Sequence, residues 1–261
     1  MKDQVVYISG GTSGINLEIA KGFASRGARV LVFGRDPAKA EAAAAEVRAV
    51  PGAREVMAGS ADVRSFEAIQ TLFGQAVQQL GAPDVVIAGA AGNFMAPAVG
   101  ISANGFKTVV DIDLLGTYNV FRAGFDIARR PGASFIAITA PQGEQPLPMQ
   151  VHVCAAKAGV NMVVKVLAME WGAAGIRVNA ISPGPILGTE GVERMAPTPE
   201  AKAMWAQRTA VRRFGTPADI ANMAIFLSSE EASYITGTIL DCDGGMKLGD
   251  ASGDYLTPPK R

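Results

Sequence analysis

The chain has 261 residues, of which 49% are hydrophobic and 18% are charged, so it can bury a large core and does not have the composition of a disordered protein. Its 24 basic and 24 acidic residues balance, which excludes a general field that would attract nucleic acid or anionic lipid. No uninterrupted apolar run approaches the roughly 20 residues that cross a bilayer. We expect a soluble protein without nucleic-acid or membrane partners.

The ends and the cysteines of the chain bear on its compartment. The first residues lead straight into a predicted strand, so we expect no signal peptide. The last four residues, Pro-Pro-Lys-Arg, are not a peroxisomal address of the Ser-Lys-Leu type. Cys154 and Cys242 have neither CxxC nor zinc-ligand spacing and lie among apolar or small residues, as buried free thiols do. We expect a cytoplasmic protein without a metal site.

Apolar strands alternate with helices of about twelve or more residues along the chain. The predicted strands cover residues 4–9, 28–33, 54–57, 84–88, 134–139, 176–181 and 238–241. The predicted helices cover residues 14–25, 37–48, 65–80, 102–129 and 152–171. This alternation predicts one α/β domain over residues 1–261, a Rossmann-type doubly wound parallel sheet of about seven strands with helices on both faces.

Two segments fall outside this alternation. Residues 183–215 contain several Pro, Gly and Met residues and follow a strand, which is the usual place for a substrate lid. Residues 249–261 are polar and are expected to form a flexible tail.

The turn after the first strand is rich in glycine and reads Ser-Gly-Gly-Thr-Ser-Gly-Ile. Glycines let the backbone approach a pyrophosphate, and the N-terminus of the next helix supplies free N–H groups. A tight turn alone would use the same glycines, but the place between a strand and a helix favours a dinucleotide site. The candidate residues are Gly10, Thr12, Ser13, Gly14 and Ile15.

The end of the second strand indicates which dinucleotide binds. Arg35 comes first there, and its guanidinium suits the 2′-phosphate of NADP(H), whereas an acidic residue would favour NAD(H). Asp36 is better placed as the cap of the next helix. The alternative for Arg35 is a solvated surface charge. The sequence therefore favours NADP(H) as the cofactor.

Two further strand ends carry small or polar residues. Asp62 and Val63 follow the third strand and are candidates to hold the adenine. Ala91 and Gly92 follow the fourth strand and could pass beneath it. Each signal is weak alone, but parallel α/β sheets bind ligands at the carboxyl ends of their strands, so the set predicts one site.

Several motifs occur together in one order: the glycine turn, Asp62-Val63, Asp113-Leu-Leu-Gly116, Lys157 and the run over residues 176–186. With them the chain resembles the short-chain dehydrogenase/reductase family along nearly its whole length. One departure is Asn16, where the family has the last glycine of the first motif. The resemblance implies that Lys157, Pro183, Gly184 and Ile186 also contact the cofactor.

Most of that family uses a Tyr-x-x-x-Lys pair, an upstream serine and an asparagine. The corresponding positions hold Val153, Ala140 and Asp113, and only Lys157 is kept. Reduction of a ketone produces an alkoxide that needs a nearby proton donor, which is the task of the tyrosine. The sequence therefore argues against simple ketone reduction.

A narrower resemblance accounts for this pattern. The stretches over residues 90–94, 106–113, 150–152, 156–157, 170–172 and 184–191 are similar to those of the 2,4-dienoyl-CoA reductases, especially the peroxisomal branch without a catalytic tyrosine. The resemblance implies that Asp113 and Lys157 hold a water that supplies the proton. It implies hydride transfer from NADPH to the δ-carbon, protonation at the α-carbon and a 3-enoyl-CoA product, an auxiliary step in β-oxidation of unsaturated fatty acids.

The same resemblance implies a homotetramer and an acyl-CoA site. The implied substrate-binding residues are Phe94, Ser102, Asn104 and Arg194. His152 is a further candidate, because it lies one residue before the empty tyrosine position. Structural roles remain open: loop packing for Phe94, hydrogen bonding or packing for His152, and a solvated charge for Arg194.

Alternatives remain open for the whole chain as well. The Asp113–Lys157 pair could be a salt bridge without a catalytic role. The protein could reduce another enoyl or carbonyl substrate, or bind a nucleotide without turnover.

Overall fold

The structure is a computed structural model that describes residues 1–254 and residue 256, without the side chains at positions 190, 194 and 195. Within this part of the chain, seven strands form one parallel sheet in the order β3-β2-β1-β4-β5-β6-β7. The strands are β1 (Val5–Ser9), β2 (Arg29–Gly34), β3 (Val56–Ser60), β4 (Val85–Ala88), β5 (Ala133–Ile138), β6 (Ile176–Pro183) and β7 (Ile239–Cys242).

Nine α-helices connect and cover these strands in the described residues. They are α1 (Gly14–Ala24), α2 (Pro37–Arg48), α3 (Phe66–Leu80), α4 (Ala103–Val110), α5 (Gly116–Ile127), α6 (Val151–Trp171), α7 (Glu190–Met195), α8 (Pro199–Arg208) and α9 (Pro217–Leu227). Helices α3, α5 and α6 share one apolar core with the sheet, and helices α1, α2 and α9 share the other. The predicted doubly wound Rossmann-type sheet is therefore confirmed.

The order of the strands fixes where a ligand can bind. The chain builds outward from β1 to β3 on one side and from β4 to β7 on the other, so its direction reverses between β1 and β4. A crevice opens at such a reversal outside the carboxyl ends of the strands. The glycine turn after β1 and the loop after β4 lie at this point.

The predicted long helix over residues 102–129 is interrupted. Ser102 caps α4, as its side chain accepts a hydrogen bond of 3.0 Å from the backbone N–H of Gly105. A π-helical turn, Asp111–Leu115, then separates α4 from α5. An extra residue in such a turn rotates the side chains that follow, and π turns are frequent at functional sites. Asp113 lies in this turn and is buried.

Other differences from the predicted elements lie at β3 and after β6. Strand β3 begins at Val56, two residues later than predicted. Helices α7, α8 and α9 were not predicted, although Thr189, Thr198 and Thr216 cap them. The sequence Thr216-Pro-Ala-Asp219 forms a capping box, a signal from which α9 could have been predicted.

Helix α6 is unusually apolar. In the described chain, Val151–Ala174 is the one helical stretch that is long and apolar enough to cross a membrane, judged by length and composition. Half of this stretch is buried within the protein, where Val160 and Val164 belong to the core on one face of the sheet. Its buried face also carries Lys157 and Asn161. The apolar character of α6 thus follows from its place in the core.

Candidate active site

The glycine turn after β1 forms a cradle against the loop after β4. Gly10 has a φ of +66°, and a Cβ atom there would lie 2.8 Å from the backbone of Ala90. Ser13 at the N-cap of α1 is extended and its side chain makes no capping hydrogen bond. The first turn of α1 carries no acidic residue. Its backbone N–H groups and helix dipole therefore suit a pyrophosphate.

Asn16, which departs from the family motif, has a structural role. Its side chain is buried, and its Nδ2 donates a hydrogen bond of 2.8 Å to the carbonyl of Gly89. A Cβ atom at Gly89 would lie 2.3 Å from the Asn16 side chain. Asn16 thus ties the first turn of α1 to the end of β4 and holds the two sides of the crevice together.

The end of β2 lies close to the glycine turn. A Cβ atom at Gly34 would lie 3.1 Å from the Thr12 side chain, so glycine lets the two turns approach closely. Arg35 is exposed beside it. Asp36 caps α2, accepting hydrogen bonds of 2.9 Å and 3.2 Å from the N–H groups of Ala38 and Lys39, as predicted. Arg35 is therefore the charged group presented at this strand end.

The loop after β3 brings further charge to this end. Asp62 pairs with Arg64, whose hydrogen bonds lower the pKa of the Asp62 carboxyl group, and the charge of Arg35 adds to this effect. Val63 is buried, and its carbonyl accepts a hydrogen bond of 2.9 Å from Asn119 on α5. Asn119, which sequence reasoning missed, fixes the backbone that precedes Arg64.

The centre of the site is a buried ion pair. Lys157 Nζ lies 3.1 Å from Asp113 Oδ2, and both side chains are buried. The other carboxylate oxygen, Oδ1, accepts a hydrogen bond of 2.7 Å from the backbone N–H of Gly92. Lys157 also donates to the carbonyl of Ile138 at the end of β5, at 3.1 Å. Loop, π turn, helix and strand thereby hold the pair in one orientation.

The position of the missing tyrosine is closed by packing. Val153 is buried and forms a small apolar cluster with Val109 and Ala156. Ala140 follows β5 at the family's serine position. Tyr7 offers no substitute, because it is buried within β1 and its hydroxyl donates to Gly81 before β4, at the amino end of the strands. Burial raises the pKa of Tyr7 far above its usual value.

His152, at the start of α6, lies against Phe94 in the loop after β4. Their ring centroids are 4.3 Å apart with an interplanar angle of 38°. His152 is fully buried, and neither ring nitrogen has a hydrogen-bond partner among the described residues. Phe94 is 37% exposed and its ring also approaches Gly105 in the first turn of α4. Phe94 thus separates the imidazole from solvent.

The remaining predicted substrate residues are only partly assembled. Ser102, the N-cap of α4, and Asn104 in its first turn are both exposed. The Phe94 ring lies against Gly105 in the same turn. The hydroxyl of Ser102 is already used as the helix cap. Arg194 belongs to α7, but its side chain lies outside the described part of the structure.

The segment from Pro183 to Ile186 is anchored to β7. The N–H of Gly184 donates to the carbonyl of Cys242 at 3.1 Å, and a Cβ atom at Gly184 would lie 2.5 Å from the backbone of Asp243. Ile186 is buried in the core, so its side chain is not free to meet a ligand. This segment therefore offers its backbone, and not the Ile186 side chain, to a cofactor.

Lys247 is a second residue that sequence reasoning missed. It forms ion pairs with Glu144 in the loop after β5 and with Asp241 in β7, and its carbonyl accepts a hydrogen bond from Gln145. Burial alone lowers the pKa of Lys247, but the hydrogen bonds to Asp241 and Glu144 outweigh burial and raise it. Lys247 ties the loop that leads to α6 to the last strand. No pattern in the sequence marks it.

A groove of about 650 Å³ lies away from this crevice, between α5 and α6. Tyr118, Met162 and Val166 line it and are each more than 40% exposed. Val163 on α6 also lines the groove, whereas Val160 and Val164 are buried in the core. The lining is mostly apolar, but it also includes Arg122 and Glu170.

The fold, the glycine cradle and the buried lysine define a dinucleotide-dependent class of protein, and comparison with known proteins identifies it. The chain belongs to the short-chain dehydrogenase/reductase family: residues 10–247 match the family model described as enoyl-(acyl carrier protein) reductase. A solved short chain dehydrogenase from Bacillus anthracis has a TM-score of 0.83 and 38% identity, with 98% of this chain and 99% of that chain covered.

Two named relatives are similar over nearly the whole chain. The peroxisomal 2,4-dienoyl-CoA reductase [(3E)-enoyl-CoA-producing] of Pongo abelii is 39% identical over 249 residues, which cover 95% of this chain and 85% of the relative. The probable 2,4-dienoyl-CoA reductase [(2E)-enoyl-CoA-producing] of Bacillus subtilis is 38% identical over 251 residues, which cover 95% of this chain and 98% of the relative.

Proposed function

We propose that the protein is an NADPH-dependent reductase of 2,4-dienoyl-CoA thioesters that forms 3-enoyl-CoA. The observation that carries this proposal is the buried contact of 3.1 Å between Asp113 and Lys157, in a site where Val153 and Ala140 replace the tyrosine and the serine. The relatives named for this reaction support it at 38–39% identity.

The residues present fit NADPH. The cradle at Gly10 and the N-terminus of α1 suit the pyrophosphate, and the exposed Arg35 suits the 2′-phosphate. Asp62 and Val63 would flank the adenine, and the backbone of Gly184 would lie along the nicotinamide end. When bound, the cofactor supplies a hydride to the δ-carbon of the substrate.

Lys157 and Asp113 would hold the water that supplies the proton to the substrate. An ammonium group has three N–H donors, and two of those of Lys157 serve Asp113 and the Ile138 carbonyl, which leaves a third. That third donor is available to a water or to the nicotinamide ribose. The positive charge also stabilises the enolate-like substrate that forms when a conjugated thioester accepts electrons. Protonation then occurs on carbon, for which a positioned water suffices and a phenol is not required.

The product distinguishes two protonation sites. A proton on the α-carbon gives a 3-enoyl thioester, and a proton on the γ-carbon gives a 2-enoyl thioester. The relatives are named for different products, (3E) in Pongo abelii and (2E) in Bacillus subtilis. We favour the 3-enoyl product because the α-carbon is attached to the thioester group that the charged pair must approach.

A second candidate is the reduction of a simple enoyl thioester. The description of the matching family model, enoyl-(acyl carrier protein) reductase, supports it. A simple enoyl thioester has one double bond fewer, but it also accepts a hydride and forms an enolate that is protonated on carbon.

An assay that monitors the oxidation of NADPH through its absorbance separates these functions. The substrates are a short 2,4-dienoyl-CoA, a 2-enoyl-CoA, a 3-oxoacyl-CoA and a simple ketone. We expect turnover of the dienoyl-CoA in preference to the others. Turnover of the oxo substrates only would contradict the proposal, and tight NADPH binding without any turnover would indicate a non-catalytic nucleotide-binding protein.

The proposal includes a homotetramer in the cytoplasm. The apolar groove between α5 and α6 supports the assembly, because an exposed patch of this kind on a soluble protein usually marks an interface. Two copies that pack these helices together would bury Met162 and Val166. Imaging of a fluorescent fusion tests the compartment, and the mass in solution tests the assembly.

A further inference from the structure

His152 and Ser182 are the side chains of the described structure whose buried polar atoms all lack a hydrogen-bond partner, and only His152 has two such atoms. Its side chain is fully buried, and neither Nδ1 nor Nε2 has a partner there. Asn16 and Asn161 each lack a partner for one side-chain atom but keep a hydrogen bond through the other. Native proteins satisfy nearly all buried polar groups, and an unsatisfied one destabilises the fold. A ligand that forms a hydrogen bond with the imidazole would satisfy one of its nitrogens.

The position of His152 indicates which ligand. It precedes Val153, which fills the tyrosine position, and lies on the same helix as Lys157. Its ring stacks against Phe94, only two residues after Gly92, whose N–H donates to Asp113. The imidazole therefore lies behind one partly exposed aromatic ring, on the helix that carries Lys157 and against the loop that holds Asp113.

The reaction needs a hydrogen-bond donor to the thioester oxygen of the substrate. Hydride transfer would break a C–H bond of NADPH, which becomes NADP⁺, and form one C–H bond at the δ-carbon. The electrons of the conjugated system would then move onto the thioester oxygen. Neither Val153 nor Ala140 carries a group that could donate a hydrogen bond to that oxygen. A donor aimed at a developing oxyanion in a water-excluded site is among the strongest catalytic contributions.

We propose that the imidazole N–H of His152 donates a hydrogen bond to the thioester oxygen of the substrate, reached when the Phe94 ring moves aside. This inference rests on the proposed function. His152 transfers no proton: water protonates the α-carbon near Asp113 and Lys157, and solvent neutralises the hydroxide that remains. The imidazole stabilises the negative charge on the thioester oxygen between hydride addition and protonation. The contact pairs one imidazole nitrogen, which is unpartnered in the free protein.

Two substitutions separate this catalytic role from packing. His152→Leu keeps a similar volume and removes the unsatisfied polar group, and His152→Gln keeps a donor. We expect His152→Leu to raise Tm by roughly 2–4 °C while kcat with dienoyl-CoA falls about a hundredfold. His152→Gln should recover about a tenth or more of the wild-type kcat. NADPH affinity, measured by calorimetry, should stay within about twofold in both.

Val164→Ala is the matched control on the same helix, because Val164 is fully buried in the core and outside the site. It should lower Tm and leave kcat unchanged. The inference is overturned if His152→Leu keeps kcat within about threefold, or if kcat falls only together with NADPH affinity. A wild-type protein that does not reduce dienoyl-CoA would instead refute the proposed function, and the inference with it.

Discussion

Asp113 Oδ2 and Lys157 Nζ lie 3.1 Å apart, with side chains that are 1% and 8% exposed. The two residues come from different helices and meet because the π turn rotates Asp113 inward. A buried ion pair adds little net stability, since desolvation of the charges offsets their attraction. The proposed catalytic role therefore explains this ion pair better than a contribution to net stability does.

Removal of either charge should abolish most of the activity. We expect Asp113→Leu or Lys157→Met to reduce kcat about a hundredfold or more, because the water that donates the proton loses its support. Each single change should also lower the free energy of unfolding by about 3–5 kcal/mol, since one buried charge is left uncompensated. Steady-state kinetics and chemical denaturation measure the two effects.

The double variant distinguishes catalysis from structure. Asp113→Leu combined with Lys157→Met removes both charges and should recover much of the lost stability, but none of the activity. A double variant that regained activity together with stability would show that the pair serves only the fold.

Arg35 should decide between the two nicotinamide dinucleotides. Arg35→Ala is expected to raise KM for NADPH about ten- to a hundredfold, because a charge-assisted hydrogen bond to the 2′-phosphate is lost. KM for NADH should hardly change. Arg26→Ala is the matched control, since Arg26 is an exposed arginine before the amino end of β2, whereas Arg35 follows its carboxyl end. Equal effects of Arg35→Ala on both cofactors would show that Arg35 is only a surface charge.

Restoring the tyrosine should not restore ketone reduction. Val153 is 3% exposed and packs against Val109 and Ala156, so a tyrosine there must displace α4. We expect Val153→Tyr to cost about 1–3 kcal/mol of stability and to reduce dienoyl-CoA turnover, with no gain on ketones. Thermal unfolding and NADPH oxidation test this, and efficient ketone reduction by the single variant would contradict it.

The groove between α5 and α6 should hold the subunits together. Val166 is 42% exposed in the groove, and Val166→Glu would place a charge in an apolar interface. We expect dissociation to smaller species, seen by light scattering after gel filtration. Ala45→Glu on the exposed face of α2 adds the same charge outside the groove and should leave the mass unchanged. An unaltered mass for Val166→Glu would exclude this interface.

The fold was predictable because its signals are local. Apolar strands and the glycine turn from Ser9 to Ile15 identify the alternating architecture, and Pro37 and Asp36 mark the start of α2. Helix α8 could not be predicted from an apolar face, because none of its residues is buried. Helix α9 could have been predicted, because its buried residues have helical spacing and Thr216 and Asp219 carry a capping signal. A π turn leaves no such pattern, so the division of α4 from α5 could not be predicted.

The site was predictable to a lesser degree. Asp113 and Lys157 followed from the resemblance, and the structure brings them together. Asn119 and Lys247 act through contacts between segments distant in the chain, which one sequence does not reveal. The lack of partners at His152 likewise depends on every element packed around it.

The position of the solvent-derived proton tests the central claim most directly. The reaction is run in D₂O with NADPH and a short 2,4-dienoyl-CoA, and the product is examined by NMR. Our account predicts a 3-enoyl thioester that carries one deuterium on the α-carbon and none from solvent on the δ-carbon. Deuterium on the γ-carbon of a 2-enoyl product, or no reduction of the dienoyl-CoA, would contradict it.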